Sequence, residues 1–209
     1  WAPEEIDAVT RIRRQGVRMT AAVTDMLEFA RLQGAGAPRK ERVSAEEILR
    51  QVSEDGSRPD HVKNVELGPR HKTCPPLWVD PRLTQRALSN LVANALKHNP
   101  VGTQVVIDAQ PSAEDRREVL LMCRDDGRGI PPDKLPTIFD EFNSSSEEPT
   151  GDSTGLGLAF CRAAVEAHGG RIWCESTVGK GTCFFLSVPA FEEGAERSLI
   201  ERADEGRIQ

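Results

Sequence analysis

The stretch NLVANALKHN, residues 90–99, sets two asparagines four apart in a segment otherwise built like a buried helix. Leu88, Leu91, Val92, Ala95 and Leu96 recur at the three-and-four spacing of an apolar helical stripe. Asn90, Asn94 and Lys97 fall at i, i+4 and i+7 and so share another face. A carboxamide oxygen is a hard, neutral donor suited to Mg2+, which keeps several waters and takes one or two protein oxygens beside phosphates. Lys97 adds a point charge for a phosphate. A solvated polar face explains the same residues, and taken alone this stretch favours it. Asp80 or Pro81 opens the helix and Asn99-Pro100 closes it, because the residue before a proline is pushed out of the helical region.

Outward from this helix the chain alternates between short strands and helices. VKNVEL and PPLWVD before it read as short strands, and TQVVIDA (103–109) and EVLLMCRD (118–125) after it as a pair joined by a polar turn. Residues 155–168 read as a helix stopped by Gly169-Gly170. RIWCES and GTCFFLSV complete a strand pair across TVGK. Ser44 with Glu47 three residues on is a capping box that opens a helix running to about Val52. Near the front, Val9, Ile12, Gly16, Met19, Val23, Met26 and Ala30 form a narrow a/d seam over about three heptads, a helix that wants a helical partner. GAGAP at 34–38 breaks it and marks a boundary. The expected organisation is a coiled-coil-like helix over 1–36, an α+β unit over 37–190 and a charged tail or linker over 191–209. Within the unit, helices cover one face of a mixed sheet in a two-layer sandwich.

The 209 residues are 38% hydrophobic and 29% charged, with 27 basic and 33 acidic side chains and a net charge of −6. Such a composition suits a globular domain and lacks the basic excess that a nucleic-acid backbone requires. No apolar run approaches the roughly 20 residues that span a bilayer. Five cysteines without a C-x-x-C pair argue against a zinc site or a disulfide framework and for a reducing, cytoplasmic setting. A chain opening at Trp1 is expected to be an excised piece of a longer protein.

Two further stretches carry chemistry. In RDDGRGIPP (124–132) an apolar strand runs into Asp125 and then Gly127, Gly129 and Ile130. A carboxylate ending a buried strand needs donors; a purine amine would supply one, and a tight turn with local amides reads equally well. In STGLGLAF (153–160) Gly155 and Gly157 open a helix whose free amides and dipole favour an anion such as phosphate. Neither glycine stretch is a dinucleotide or Walker fingerprint, since the third glycine fails at Phe160 and Gly181 follows Lys180.

Taken in order, NLVANALKH, DDGRGI, IFDEF, GLGLA and GKGT resemble the boxes of the catalytic, ATP-binding domain of sensor histidine kinases, within the Bergerat-fold ATPases that include gyrase and mismatch-repair ATPases. The resemblance runs from about Val43 to Pro189. It implies that Asp125 receives the adenine amine, that Gly127, Gly129 and Ile130 border the base, and that Asn94 holds Mg2+. It also implies that Asn90, Lys97 and His98 lie near the nucleotide, that Gly155, Leu156, Gly157 and Leu158 border the triphosphate, and that Thr182 sits beside the adenine. Phe139 and Phe142 would pack at the base of a lid formed by residues 143–154, which carries no lysine or arginine. Asn90 takes the catalytic position at which gyrase-like relatives carry a water-activating glutamate; a carboxamide cannot act as a base, so transfer rather than hydrolysis is implied.

The front helix resembles the second helix of the dimerisation and phosphoacceptor hairpin, and the first helix with its phosphoacceptor histidine is missing. His61, His71, His98 and His168 do not resemble that histidine. Asp126 stands where the family often has asparagine, and His98 where it often has an aromatic. The resemblance therefore implies an ATP- and Mg2+-dependent protein-histidine kinase piece that does not autophosphorylate alone. Its parent would be a homodimer serving a response-regulator receiver domain. A nucleotide-gated interaction module without phosphotransfer is the alternative, and a serine kinase of the anti-sigma type is disfavoured by the front helix.

Overall fold

A computed structural model of the chain describes residues 3–34, 37–56, 65–141 and 155–193. The elements run α1 (Pro3–Gly34), β1 (Glu41–Val43), α2 (Ala45–Gly56), β2 (Val65–Leu67), β3 (Leu77–Val79), α3 (Pro81–His98), β4 (Val105–Pro111), β5 (Glu118–Asp125), α4 (Gly157–Ala167), β6 (Ile172–Thr177) and β7 (Gly181–Pro189). Short 3-10 turns lie at Pro69–Thr73 and Leu135–Thr137.

Alternation along the strands builds one core. Five strands pair in the order β2-β4-β5-β7-β6, with β2 parallel to β4 and every other pair antiparallel. Ile107 and Ala109 of β4, Leu121 and Cys123 of β5, and Phe184, Leu186 and Val188 of β7 turn one face inward. Against that face lie Ile48, Leu49 and Val52 of α2, Leu88, Leu91, Val92 and Ala95 of α3, and Phe160, Cys161, Ala164 and Val165 of α4. This is the expected α+β sandwich with helices on one face of a mixed sheet. All five cysteines are free thiols, and Cys123 and Cys161 serve as core hydrophobes.

Several elements differ from the sequence reading. VKNVEL and PPLWVD, neighbours in the chain, join different sheets: β2 extends the main sheet, whereas β3 pairs antiparallel with β1. β1 itself, with exposed Glu41 and Arg42, has no apolar signature and exists through its partner. The helix read as starting at Gly155 starts at Gly157, and α2 runs on to Gly56.

The start of α3 is anchored from three sides. Asp80, 4% exposed, accepts hydrogen bonds from the backbone N–H of Arg82 (3.1 Å) and Leu83 (3.3 Å) through Oδ1, and from that of Arg39 (3.2 Å) through Oδ2. Its own N–H donates to Nε2 of buried His168 at 2.8 Å, while Nδ1 of the same ring meets the Ala164 carbonyl at 2.6 Å. These partners fix a neutral imidazole with its proton on Nδ1. The end of α4 thus holds the beginning of α3.

α1 packs on α4 near its own end, where Phe29 and Leu32 reach the core. Earlier along the helix the seam is open: Ile12 is 72% and Met19 64% exposed, and Val9, Val23 and Met26 are exposed too. Among the described residues no helix is long and apolar enough to cross a membrane.

Candidate functional site

The site is built along α3 between two glycine loops. At one end β5 delivers Asp125, 6% exposed, opposite Val105 of β4 and Thr182 of β7. Its Oδ1 accepts the Gly127 N–H at 2.9 Å, and the Thr182 N–H and the Asn99 carboxamide lie near enough to favour the ionised carboxylate. Burial raises the Asp125 pKa above the usual carboxylate value, and these three groups pull it back. The cost noted for a buried strand-end carboxylate is therefore met by the protein's own N–H groups.

The loop after Asp125 is held open. Gly129 adopts φ 70°, and a Cβ there would lie 2.2 Å from the Thr177 carbonyl, so only glycine fits. The Ile130 N–H donates to Ser176 Oγ at 2.8 Å, and that hydroxyl lies 2.9 Å from Thr182 Oγ1. Asp126 is exposed, with its carboxylate accepting the Gln104 N–H at 2.8 Å, and its charge adds to the raising of the Asp125 pKa. His98 is half-buried, and burial followed by the charges of Lys97 and Arg128 lowers its pKa, which keeps the ring neutral.

At the other end, Asn90 Nδ2 donates to the Gly157 carbonyl at 3.3 Å, joining the middle of α3 to the first residue of α4. The cap of α4 is Leu156, 3% exposed, whose side chain makes no capping bond. The first-turn amides thus receive no acceptor from that side chain. Between the ends, α3 rises about 13.5 Å from Asn90 to Asn99 at 1.5 Å per residue. Asn94 is half-buried one turn past Asn90, and Lys97 is exposed. The structure thus brings together Asp125, Gly127, Gly129, Ile130, Thr182 and His98 at one end and Asn90, Gly155, Leu156, Gly157 and Leu158 at the other.

The Phe139 ring, partly buried, packs edge-on against Phe184 with centroids 6.2 Å apart, at the margin of the core. Phe142 and the expected lid, 143–154, lie outside the described residues, as do His61 and residues 194–209. His71 lies in the first 3-10 turn, and both ring nitrogens of His168 are engaged. Sequence reading missed Asn99, which it took only as a stop signal two residues after the NALK run and directly before Pro100, and whose Oδ1 accepts the Arg128 N–H of the DGRG loop. Ser176 was missed as well, being one of many strand hydroxyls.

Residues 79–192, which contain both ends of this arrangement, match the family described as histidine kinase-, DNA gyrase B- and HSP90-like ATPase. The chain belongs to this family. It is 32% identical over 185 residues to the sensor protein KdpD of Escherichia coli K12, covering 86% of this chain and 20% of KdpD. It is 30% identical over 190 residues to the adaptive-response sensory kinase SasA of Synechococcus sp. strain JA-2-3B'a(2-13), covering 86% of this chain and 48% of that protein. The chain therefore spans between a fifth and about half of the length of these curated relatives. Its fold also matches full-length ShkA, solved in complex with AMPPNP, with a TM-score of 0.69 and 28% identity over 90% of this chain and 39% of that one. The sandwich is thus a histidine-kinase-type ATPase domain, and Asp125, the DGRG loop and Asn90 lie inside the matched segment.

Proposed function

We propose that this chain is the catalytic part of a sensor protein-histidine kinase, binding ATP with Mg2+ along α3 and passing the γ-phosphoryl group to a histidine carried outside residues 1–209. The observation that carries this reading is the bridge made by one helix between a buried, donor-fed carboxylate and the uncapped start of α4. Asp125 would accept the adenine amine, Gly127, Gly129, Ile130 and Thr182 would border the base, and neutral His98 would lie against the nucleotide. Asn90, Lys97, Gly155, Leu156, Gly157 and Leu158 would surround the triphosphate.

The donor set fits Mg2+: α3 presents neutral carboxamides rather than a carboxylate cage, matching an ion that takes few protein ligands. Asn94 would hold it, and the ion would neutralise charge on the phosphates. In the transfer step an acceptor imidazole nitrogen attacks the γ-phosphorus, the bond to the β–γ bridging oxygen breaks, and ADP leaves. Asn90 cannot remove a proton from water, so hydrolysis by the chain alone is expected to be slow.

The exposed seam of α1 supports pairing with a second copy in the parent protein, and a response-regulator receiver domain would take the phosphoryl group onward. A cytoplasmic setting follows for such a domain. The domain limits that accompany this reading are 1–36, 37–190 and 191–209. The test is an unfolding titration with MgATP: at about 100 times its dissociation constant the nucleotide should add about 2.7 kcal/mol of stability. Supplying the missing helix should then yield acid-labile phosphate, whereas binding without that phosphate would favour a nucleotide-gated interaction module.

A further inference from the structure

We infer that Ser176 is a positioning residue of the base pocket: its hydroxyl fixes that of Thr182 as a hydrogen-bond acceptor and so favours a 6-amino purine over its 6-oxo counterpart. The inference rests on the reading of Asp125 and Thr182 as groups that border the base.

Asp125 of β5 pairs directly with Thr182 of β7, and Thr182 pairs directly with Ser176 of β6. Opposed residues of antiparallel strands project from the same face of a sheet. Cys123, two residues before Asp125, and Phe184, two residues after Thr182, both lie in the core. The three polar side chains therefore form a row across the helix-covered face, where β5 runs into the DGRG loop.

Ser176 Oγ meets three groups: the Ile130 N–H at 2.8 Å, the Thr182 hydroxyl at 2.9 Å and the Gly181 carbonyl at 3.1 Å. A serine hydroxyl has one proton and two lone pairs. The Ile130 N–H can only donate and takes one lone pair, while the Gly181 carbonyl can only accept and takes the proton. The second lone pair is left for Thr182, whose hydroxyl must donate to it. Only this arrangement makes all three bonds. Thr182 Oγ1 then keeps lone pairs alone, on the strand beside the Asp125 carboxylate. Two neighbouring acceptors favour a base that brings N–H donors, as the 6-amino group of adenine does, and repel the 6-carbonyl of hypoxanthine.

The loop itself does not depend on this one hydroxyl. The Gly179 N–H donates to the Arg128 carbonyl at 2.8 Å, and Gly129 lies so close to the β6–β7 turn that a Cβ would stand 2.2 Å from the Thr177 carbonyl. Removal of the Ser176 hydroxyl should thus act through the proton of Thr182 rather than through loss of the loop.

The test is calorimetric titration of the full chain with MgATP and with MgITP, comparing wild type, Ser176→Ala, Thr182→Val and the double variant. Wild type should prefer ATP. Ser176→Ala releases the Thr182 proton, which turns toward Asp125 or into the pocket and competes with the amine in either case. ATP should weaken about tenfold and ITP less than about twofold, the loss of one bond felt by one base. Thr182→Val removes the acceptor and should lower the ATP-to-ITP ratio by itself, which keeps the test informative if Ser176→Ala does not fold. Adding Ser176→Ala to Thr182→Val should lower the ratio no further. A hydroxyl that merely supported the strands would weaken both nucleotides together. An unchanged ratio in either folded single variant, or a further fall in the double variant, would overturn the inference while leaving the ATP site standing. A wild type with no preference for ATP would overturn the adenine reading and this inference with it.

Discussion

α3 starts from Asp80, a buried carboxylate bonded to three backbone N–H groups and backed by His168, whereas α4 starts from Leu156, whose side chain offers its first turn no acceptor. Both helices pack on the same core and both begin with a residue under 5% exposed. The first beginning is finished internally, at the end of the domain away from the glycine loops. The second adjoins Asn90 and the glycine loop. A helix start capped by a buried carboxylate contributes stability, while one without a side-chain cap has room for an anion. Stability and ligand affinity should therefore separate between the two.

The largest effect should come from Asn94→Ala, which should erase the roughly 2.7 kcal/mol gained from saturating MgATP while changing the ligand-free midpoint far less, and from Asp125→Ala, which should erase the same gain and also destabilise the ligand-free protein by stranding the Gly127 N–H; urea unfolding with and without nucleotide measures both. Next, Asp80→Ala should cost about 2 kcal/mol in the ligand-free protein, the upper range for a lost N-cap, and leave ATP affinity within about twofold. If Asp80→Ala instead destroyed ATP binding in a folded protein, the two helix starts would not be separable. Gly157→Ala should run the other way. A Cβ there meets nothing closer than Asn90 Cγ at 4.0 Å, so the ligand-free protein should gain up to about 0.5–1 kcal/mol, with weaker ATP binding because the new methyl points at Asn90.

The smallest effect is one of pH. Burial lowers the His168 pKa below 6.5, and the Ala164 carbonyl only partly offsets it. Below pH 6.5 the unfolded imidazole takes up a proton that the native one refuses, so stability should fall as pH descends from about 6.5 toward the lowered native value. His98 is shifted in the same direction and adds to the slope. His168→Gln should flatten the dependence without removing it, and an unaltered slope would mean that the ring is not held neutral.

The same contrast explains what could be read in the sequence. α3 was legible because Asp80-Pro81 and Asn99-Pro100 punctuate it and its apolar spacing is regular. β5 and β7 were legible because each is an apolar run ending at a polar residue. β1 was not, since Glu41 and Arg42 form a strand only because β3 lies beside them. VKNVEL and PPLWVD carry no mark of which sheet they join, because pairing between β2 and β4 is decided by contacts distant in the chain. Asp125 and Asn90 stood out as polar residues at odds with apolar surroundings. Asn99 did not, because an asparagine at a helix end has a sufficient local explanation and its bond to Arg128 appears only when the loop folds back.

The most direct measurement is a co-crystal structure with MgAMPPNP. The adenine 6-amino nitrogen should lie at hydrogen-bond distance, about 2.9 Å, from an Asp125 carboxylate oxygen, with the phosphates at the start of α4 and the metal on Asn94. A nucleotide seated elsewhere, for example in the groove of about 490 Å³ lined by Arg39, Arg42 and Arg82 at the other end of α3, would contradict the account.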